Sequence, residues 1–185
     1  MSNPLTPQNV ADRKVFDGIR FNVHELEYPA ADGTLVRRHV ARHPGAVVIV
    51  PLLSKDQVVL IQNTRPSVHR TLLELPAGTR EPSESPETTA ARELIEETGY
   101  TAGKLTLGLQ FYASPGITDE RMHLFIAEDL EEGEHAREPG EWIQNQIVSW
   151  DQIDQMFDRG EFEDGKTITG LLWTRRWLAR RRTNE

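Results

Sequence analysis

A chain of 185 residues with 37% apolar and 27% charged residues is long enough to bury a sizeable core, as one domain or as one domain with a small appendage. Its 29 Asp and Glu outnumber 21 Lys and Arg, a net charge of −8, which argues against a nucleic-acid partner; an acidic protein that handles phosphates needs metal ions between the two. The absence of cysteine excludes disulfides, thiolate metal ligands and thiol nucleophiles.

The N-terminal "MSNPLTPQNV" has no basic stretch followed by an apolar one, and the longest apolar runs, such as "GAVVIVPLL" at 45–53, are too short to span a bilayer. A cytoplasmic protein is the expectation. Residues 1–13 read as a loose, proline-bearing arm. From Lys14 to His43 the chain reads as extended segments: Ile19, Phe21 and Val23 alternate with polar neighbours, and "PAADG" (29–33) is a turn before "TLVRRHVARH". Two or three antiparallel strands are marginal alone in water, so residues 1–43 are expected to pack on something else.

A second domain is expected over 44–185. Its first strands are "GAVVIVPLL", "QVVLIQNTR" (57–65) and "TLLELPAG" (71–78), short β-branched runs bounded by turn residues. A helix follows, with Ser85 as N-cap, Pro86 at its first position, Glu87 near its positive end and Gly99 as its left-handed stop. Strands resume at 104–114, 121–130 and 143–150, the last two separated by the acidic loop "EEGEHAREPGE". Ser149 and Gln152 stand in capping-box spacing at the start of "SWDQIDQMFDRG", and "TITGLLWTRRWLARRR" (167–182) reads as a third helix. The arginines of that last segment read as a solvated face beside a stripe of Trp173, Trp177 and Leu178. This order predicts an α+β domain with a carboxylate-bearing helix embedded between strands.

That helix raises the chemical question. "RELIEETG" (92–99) places Glu93, Glu96 and Glu97 on one face, because successive residues turn by about 100°. Like charges four apart destabilise an isolated helix by about 0.2–0.5 kcal/mol per pair, and Arg92 offsets this only partly. Two readings fit such a face: a solvated acidic surface, or a site for a hard divalent cation, which takes carboxylates together with substrate phosphate oxygens and water.

The surrounding spacing favours the second. In "GTREPSESPETTAARELIEETGY", Gly78, Glu84, Arg92-Glu93, Leu94, Glu96-Glu97 and Gly99 fall at fixed intervals over 23 residues. The stretch resembles the signature box of the Nudix hydrolases, with Tyr100 as its one departure from an aliphatic ending, and the likeness extends loosely over residues 14–180. The resemblance implies a Nudix fold: mixed sheets with the box helix packed between strands and further helices outside, preceded here by the small antiparallel N-terminal unit. It also implies hydrolysis of a nucleoside diphosphate linked to a second group, with Mg²⁺, Mn²⁺ or another divalent cation held by the box helix. By matching position, Glu93 and Glu97 are expected as direct ligands, Glu96 as a ligand or outer-shell partner, and the main-chain carbonyl of Ala77 as a further ligand. Arg92 is expected to orient the glutamates, and Glu84 to approach a metal through water.

"LELPAG" and "SPGITDE" (114–120), with Pro115 sixteen residues after Gly99, resemble the ADP-ribose pyrophosphatase subgroup. This likeness implies a small-molecule nucleoside diphosphate sugar as substrate, with ADP-ribose cleaved to AMP and ribose 5-phosphate. It assigns Arg65 to the substrate phosphate or terminal ribose, a contact suited to a planar guanidinium. Ser114, Gly116 and Glu120 match positions near the terminal ribose, while Glu74 reads as structural. A catalytic base is expected in the acidic loop, Glu141 first and Glu138 second, since carboxylates engaged by metal are poor bases. The subgroup also implies a homodimer through the N-terminal strands, with Phe16, Ile19, Arg20 and Phe21 as candidates for holding the adenine. Alternatives are another nucleotide sugar such as GDP-mannose, or a non-catalytic nucleotide-sensing domain. RNA decapping is disfavoured by the acidic charge.

Overall fold

The computed structural model describes residues 9–133 and 143–182. Among these it forms β1 (Ala11–Asp17), β2 (Asn22–Pro29), β3 (Leu35–Arg42), β4 (Ala46–Pro51), β5 (Gln57–Arg65), β6 (Arg70–Glu74), β7 (Ala77–Thr79), α1 (Pro86–Thr98), β8 (Tyr100–Tyr112), β9 (Arg121–Glu132), β10 (Ile143–Ser149), α2 (Trp150–Asp158) and α3 (Gly165–Arg182). No helix among the described residues is long and apolar enough to cross a membrane. The chain divides into two units, Met1–Gly45 with Tyr112–Arg121, and Ala46–Phe111 with Met122–Glu185.

In the first unit β1, β2 and β3 form an antiparallel meander, with a register shift between Lys14 and Phe16. Every residue of β1 is exposed. The strand begins at Ala11, inside the stretch expected as a loose arm, because its main chain is paired with β2 from Ala11↔Glu27 onward. Ile19 and Phe21, whose alternation suggested a strand, lie in the connection between β1 and β2. That connection closes tightly: a Cβ on Gly18 would stand 2.4 Å from the Phe21 carbonyl oxygen. Arg42 divides its guanidinium between two carboxylates, Nη2 to Asp12 Oδ2 at 2.6 Å and Nη1 to Asp119 Oδ2 at 3.0 Å. It thereby ties β1 and the 112–121 segment to β3. A main-chain bond from Ala41 N–H to the Ile117 carbonyl, 2.8 Å, joins the same pieces.

The second unit is built around "AVVIVP". All six residues of β4 are buried, as expected of a strand covered on both faces. It pairs in parallel with β9, Val48 opposite Leu124, within the sheet order β7-β4-β9-β8, while β10-β5-β6 forms a second, antiparallel sheet. Val47, Ile49, Phe125 and Ala127 pack with Ala90, Leu94 and Tyr100 on the α1 side. Val48, Val50, Leu124 and Ile126 pack with Ile153 and Met156 of α2 and Leu171 of α3. Trp173, Trp177 and Leu178 lie against this larger core. Trp173 also rests on Gly108, where a Cβ would come within 2.6 Å of its ring.

"TLLELPAG" is not one strand. β6 pairs with β5, Ile61 opposite Glu74, and β7 pairs with β4, Val48 opposite Ala77, so the chain changes sheets at Leu75-Pro76. Proline cannot donate to a ladder, which suits it to such a break. Helix α1 starts and stops as its caps predict: Ser85 accepts the Thr88 N–H, and Gly99 at φ 78° returns its N–H to Ile95. The Ser149–Gln152 capping box of α2 is formed. Helix α3 begins two residues before the expected Thr167, because Asp164 caps it, accepting the Thr167 N–H at 2.9 Å. β8 likewise begins at Tyr100 rather than Lys104.

Leu94 is fully buried and couples α1 to β4 and β9. Leu94→Ala is expected to lower unfolding stability by about 2–5 kcal/mol, read from urea denaturation midpoints.

Candidate active site

Helix α1 directs Ala90 and Leu94 into the core and turns its glutamates toward β7. The like charges on that face are gathered by Arg92. Its Nε and Nη2 donate to the two oxygens of Glu84 at 3.0 and 3.1 Å, and its Nη1 donates to Glu93 Oε1 at 2.9 Å and Glu96 Oε2 at 2.7 Å. Arg92 therefore bonds Glu84, Glu93 and Glu96 at once, and Glu84 contacts the guanidinium directly. Glu84 also accepts from the Thr89 hydroxyl at 3.0 Å. The Arg92 hydrogen bonds, opposed by desolvation, hold the Glu84 carboxyl at about 2. Reciprocally, Glu84 first and then Glu93 and Glu96 push the Arg92 guanidinium well above its ordinary value.

Glu97 is nearly buried, and its Oε2 accepts the main-chain N–H of Ala77 at 2.8 Å. The observed contact of Ala77 with the box is thus through its N–H. At the next residue Glu93 occupies the space a side chain would need: a Cβ on Gly78 would fall 1.9 Å from the Glu93 carboxyl carbon. Glycine here is a requirement of close approach between helix and strand.

Arg65 lies at the end of β5 and forms a two-pronged pair with Glu74, Nε to Oε1 at 2.9 Å and Nη2 to Oε2 at 2.6 Å. Glu74 is 1% exposed and also accepts from Lys166 Nζ. Lys166 reaches Asp164 Oδ2 at 2.9 Å, and the Leu75 N–H donates to Thr167 Oγ1 at 2.8 Å. Burial alone would raise the Asp164 carboxyl, yet Lys166 and Thr167 hold it below its ordinary value. Lys166, Asp164 and Thr167 were not singled out from sequence; "DGKT", an aspartate three residues before a threonine, was the available helix-start signal.

The remaining candidates are in the first unit or outside the described residues. Ser114 turns the 114–120 loop, its carbonyl accepting the N–H groups of Ile117 and Thr118, both at 3.0 Å. Gly116 has open space where a side chain would stand. Glu120 Oε1 lies 3.7 Å from His43 Nδ1. Ile19 is fully exposed, and Phe16, Arg20 and Phe21 are exposed. Glu138 and Glu141 fall outside the described residues.

Among the described residues no three Asp, Glu or His side chains stand arranged to hold a metal ion, and Arg92 sits among Glu84, Glu93 and Glu96. The donor set nonetheless fits a hard divalent cation. It consists of carboxylate oxygens on one helical face, pressed on a strand cleared of side chain at Gly78.

An α+β domain in which a helix presents glutamates against a strand defines a carboxylate site suited to phosphate chemistry. The NUDIX domain model matches residues 41–171, and the chain belongs to the Nudix family of hydrolases. It is 37% identical over 173 residues, 91% of this chain and 92% of the relative, to an ADP-ribose pyrophosphatase of Bacillus subtilis (strain 168). To a methanol dehydrogenase activator of Bacillus methanolicus it is 30% identical over 177 residues, 94% of this chain and 95% of that one. A crystal structure of an ADP compounds hydrolase shares the fold, with a TM-score of 0.82 at 23% identity over 97% of this chain and 98% of that one.

Because the Glu84 carboxyl is depressed in the folded protein, its pairing with Arg92 stabilises the fold above the ordinary carboxylate range and is lost as the pH falls toward 2. With a chelator present, Glu84→Gln is expected to be less stable than the parent at pH 6 and to approach it by about pH 2, in thermal melts across that range.

Proposed function

We propose that this chain is a Mg²⁺-dependent ADP-ribose pyrophosphatase that adds water across the diphosphate to give AMP and ribose 5-phosphate. The observation that carries the reading is the α1 face: Glu93 and Glu96 gathered by Arg92, and Glu97 held on the β7 main chain. For the substrate, support comes from the B. subtilis relative's name together with near-complete mutual coverage. When bound, a divalent cation neutralises diphosphate charge and lowers the pKa of water.

In this assignment Glu93 and Glu97 are direct ligands, Glu96 a ligand or its partner, and the Ala77 carbonyl a further donor. Mn²⁺ is the alternative cation. Arg92 keeps mutually repelling carboxylates in one arrangement, which removes the need to reorganise them when substrate arrives. Arg65 turns its outer edge to the diphosphate. Glu141, with Glu138 as second choice, accepts the proton of the attacking water. Ser114, Gly116 and Glu120 contact the terminal ribose, and Ile19, Arg20 and Phe21 hold the adenine. The enzyme works in the cytoplasm as a homodimer joined through the exposed N-terminal sheet, with residues 1–43 as dimerisation unit and 44–185 as catalytic domain.

Incubation with Mg²⁺ or Mn²⁺ and a panel of ADP-ribose, GDP-mannose and other nucleotide sugars, with products resolved by chromatography, is expected to show ADP-ribose consumed fastest. Glu97→Gln is expected to lower kcat by about a hundredfold, and an unchanged kcat removes the metal assignment. Light scattering is expected to give close to twice the 21.1 kDa chain mass; the monomer mass refutes the dimer.

A further inference from the structure

A second charged cluster, built around the buried Glu74, lies beside the N-terminal turn of α3. Glu74 is 1% exposed, and the side chains of Lys166 and Asp164 are 14% and 18% exposed. Arg65 and Lys166 balance Glu74 and Asp164, two charges of each sign. Two further contacts dock the same helix start onto β6 and its end, Arg70 with Glu163 and the Leu75 N–H with Thr167. The strand that leads into Ala77 and Gly78 is thus fixed from the α3 side.

The geometry at Arg65 is the informative part. A guanidinium carries five N–H donors. Arg65 commits its Nε and one Nη2 proton to Glu74, and its Nη1 donates to no hydrogen bond among the described residues. The side chain remains 35% exposed. It also lies within electrostatic reach of Glu97, whose charge helps to hold it protonated after Glu74's hydrogen bonds have done so. Arg65 is therefore anchored to Glu74 by one edge while its side chain stays partly exposed.

A carboxylate as buried as Glu74 needs its charge matched and its lone pairs occupied. With Arg65 alone, the full attraction of Glu74 falls on that guanidinium. Lys166 takes part of it.

We propose that Lys166 is a positioning residue of the active site: by sharing Glu74 with Arg65, it leaves the outer edge of the Arg65 guanidinium set to receive the substrate diphosphate. This assignment rests on the hydrolase reading above and adds to it a residue outside the signature stretch. Lys166 acts through Arg65 and touches no reacting atom.

The test is a double-mutant cycle read in two ways: KM and kcat with ADP-ribose, and calorimetric Kd for ADP. Lys166→Met is expected to raise both KM and Kd about tenfold, the scale of one charge-assisted hydrogen bond, with kcat largely retained. Lys166→Arg is expected to restore them. In an Arg65→Met background, Lys166→Met is expected to add nothing, because coupled residues are not additive. If Lys166→Met fails to fold by circular dichroism, Lys166→Gln, which keeps a hydrogen-bond donor without the charge, carries the same cycle.

An ADP Kd unmoved by the Lys166 variants, or effects that multiply in the double variant, overturns the proposal even when the parent cleaves ADP-ribose. A parent that binds ADP with the expected coupling but cleaves no nucleotide sugar refutes the hydrolase reading and leaves the Lys166 assignment standing. A parent that cleaves ADP-ribose without binding ADP overturns the Lys166 assignment alone, and one that does neither overturns both.

Discussion

Three glutamates on one helical face repel one another, and a single guanidinium gathers two of them. Arg92 reaches Glu84, Glu93 and Glu96 at once, from a position whose side chain is 28% exposed. Such partly buried pairs are screened less by salt than open surface pairs. Glu97 is held by a different partner, the main chain of β7. The result is a charged face whose members are individually restrained before any cation arrives, whereas a solvated acidic face would leave them to rotate freely.

That arrangement requires α1 and β7 to keep a fixed separation, which the cores supply. β4 is buried on both sides, β7 is laid along it, and α1 packs against its Val47 and Ile49 face. The sheet change at Pro76 lets one continuous segment reach both Arg65 and the α1 glutamates. Glu74, still in β6, anchors Arg65, and Ala77 and Gly78, already in β7, meet the glutamates. The Thr167 hydroxyl binds the Leu75 N–H at the crossing, so the junction does not leave that donor without a partner.

Much of this was legible in the chain because local chemistry and long-range packing agree there. Ser85, Pro86 and Gly99 mark the ends of α1, and a continuous β-branched run marks β4 as doubly covered. The spacing from Gly78 to Gly99 carries the family. At the Leu75-Pro76 break the proline was a local signal of interruption, but only the identity of the partners, β5 and then β4, places the two strands in different sheets. Ile19 and Phe21 misled for the opposite reason: alternation over so few residues also occurs in a turn, and the tight approach at Gly18 is a through-space fact. The Lys166 cluster lies 92 residues from Glu74, a separation at which no local pattern points to a partner.

The bond from Ala77 to Glu97 is insensitive to side-chain chemistry at position 77, because its donor belongs to the main chain. Any amino acid at position 77 other than proline supplies that N–H, so the donor itself does not depend on the side chain. The neighbouring position has no such latitude, since Glu93 fills the space beside Gly78. Two adjacent residues on one short strand therefore serve the site in opposite ways, one through a main-chain proton it offers and the other through a side chain it lacks.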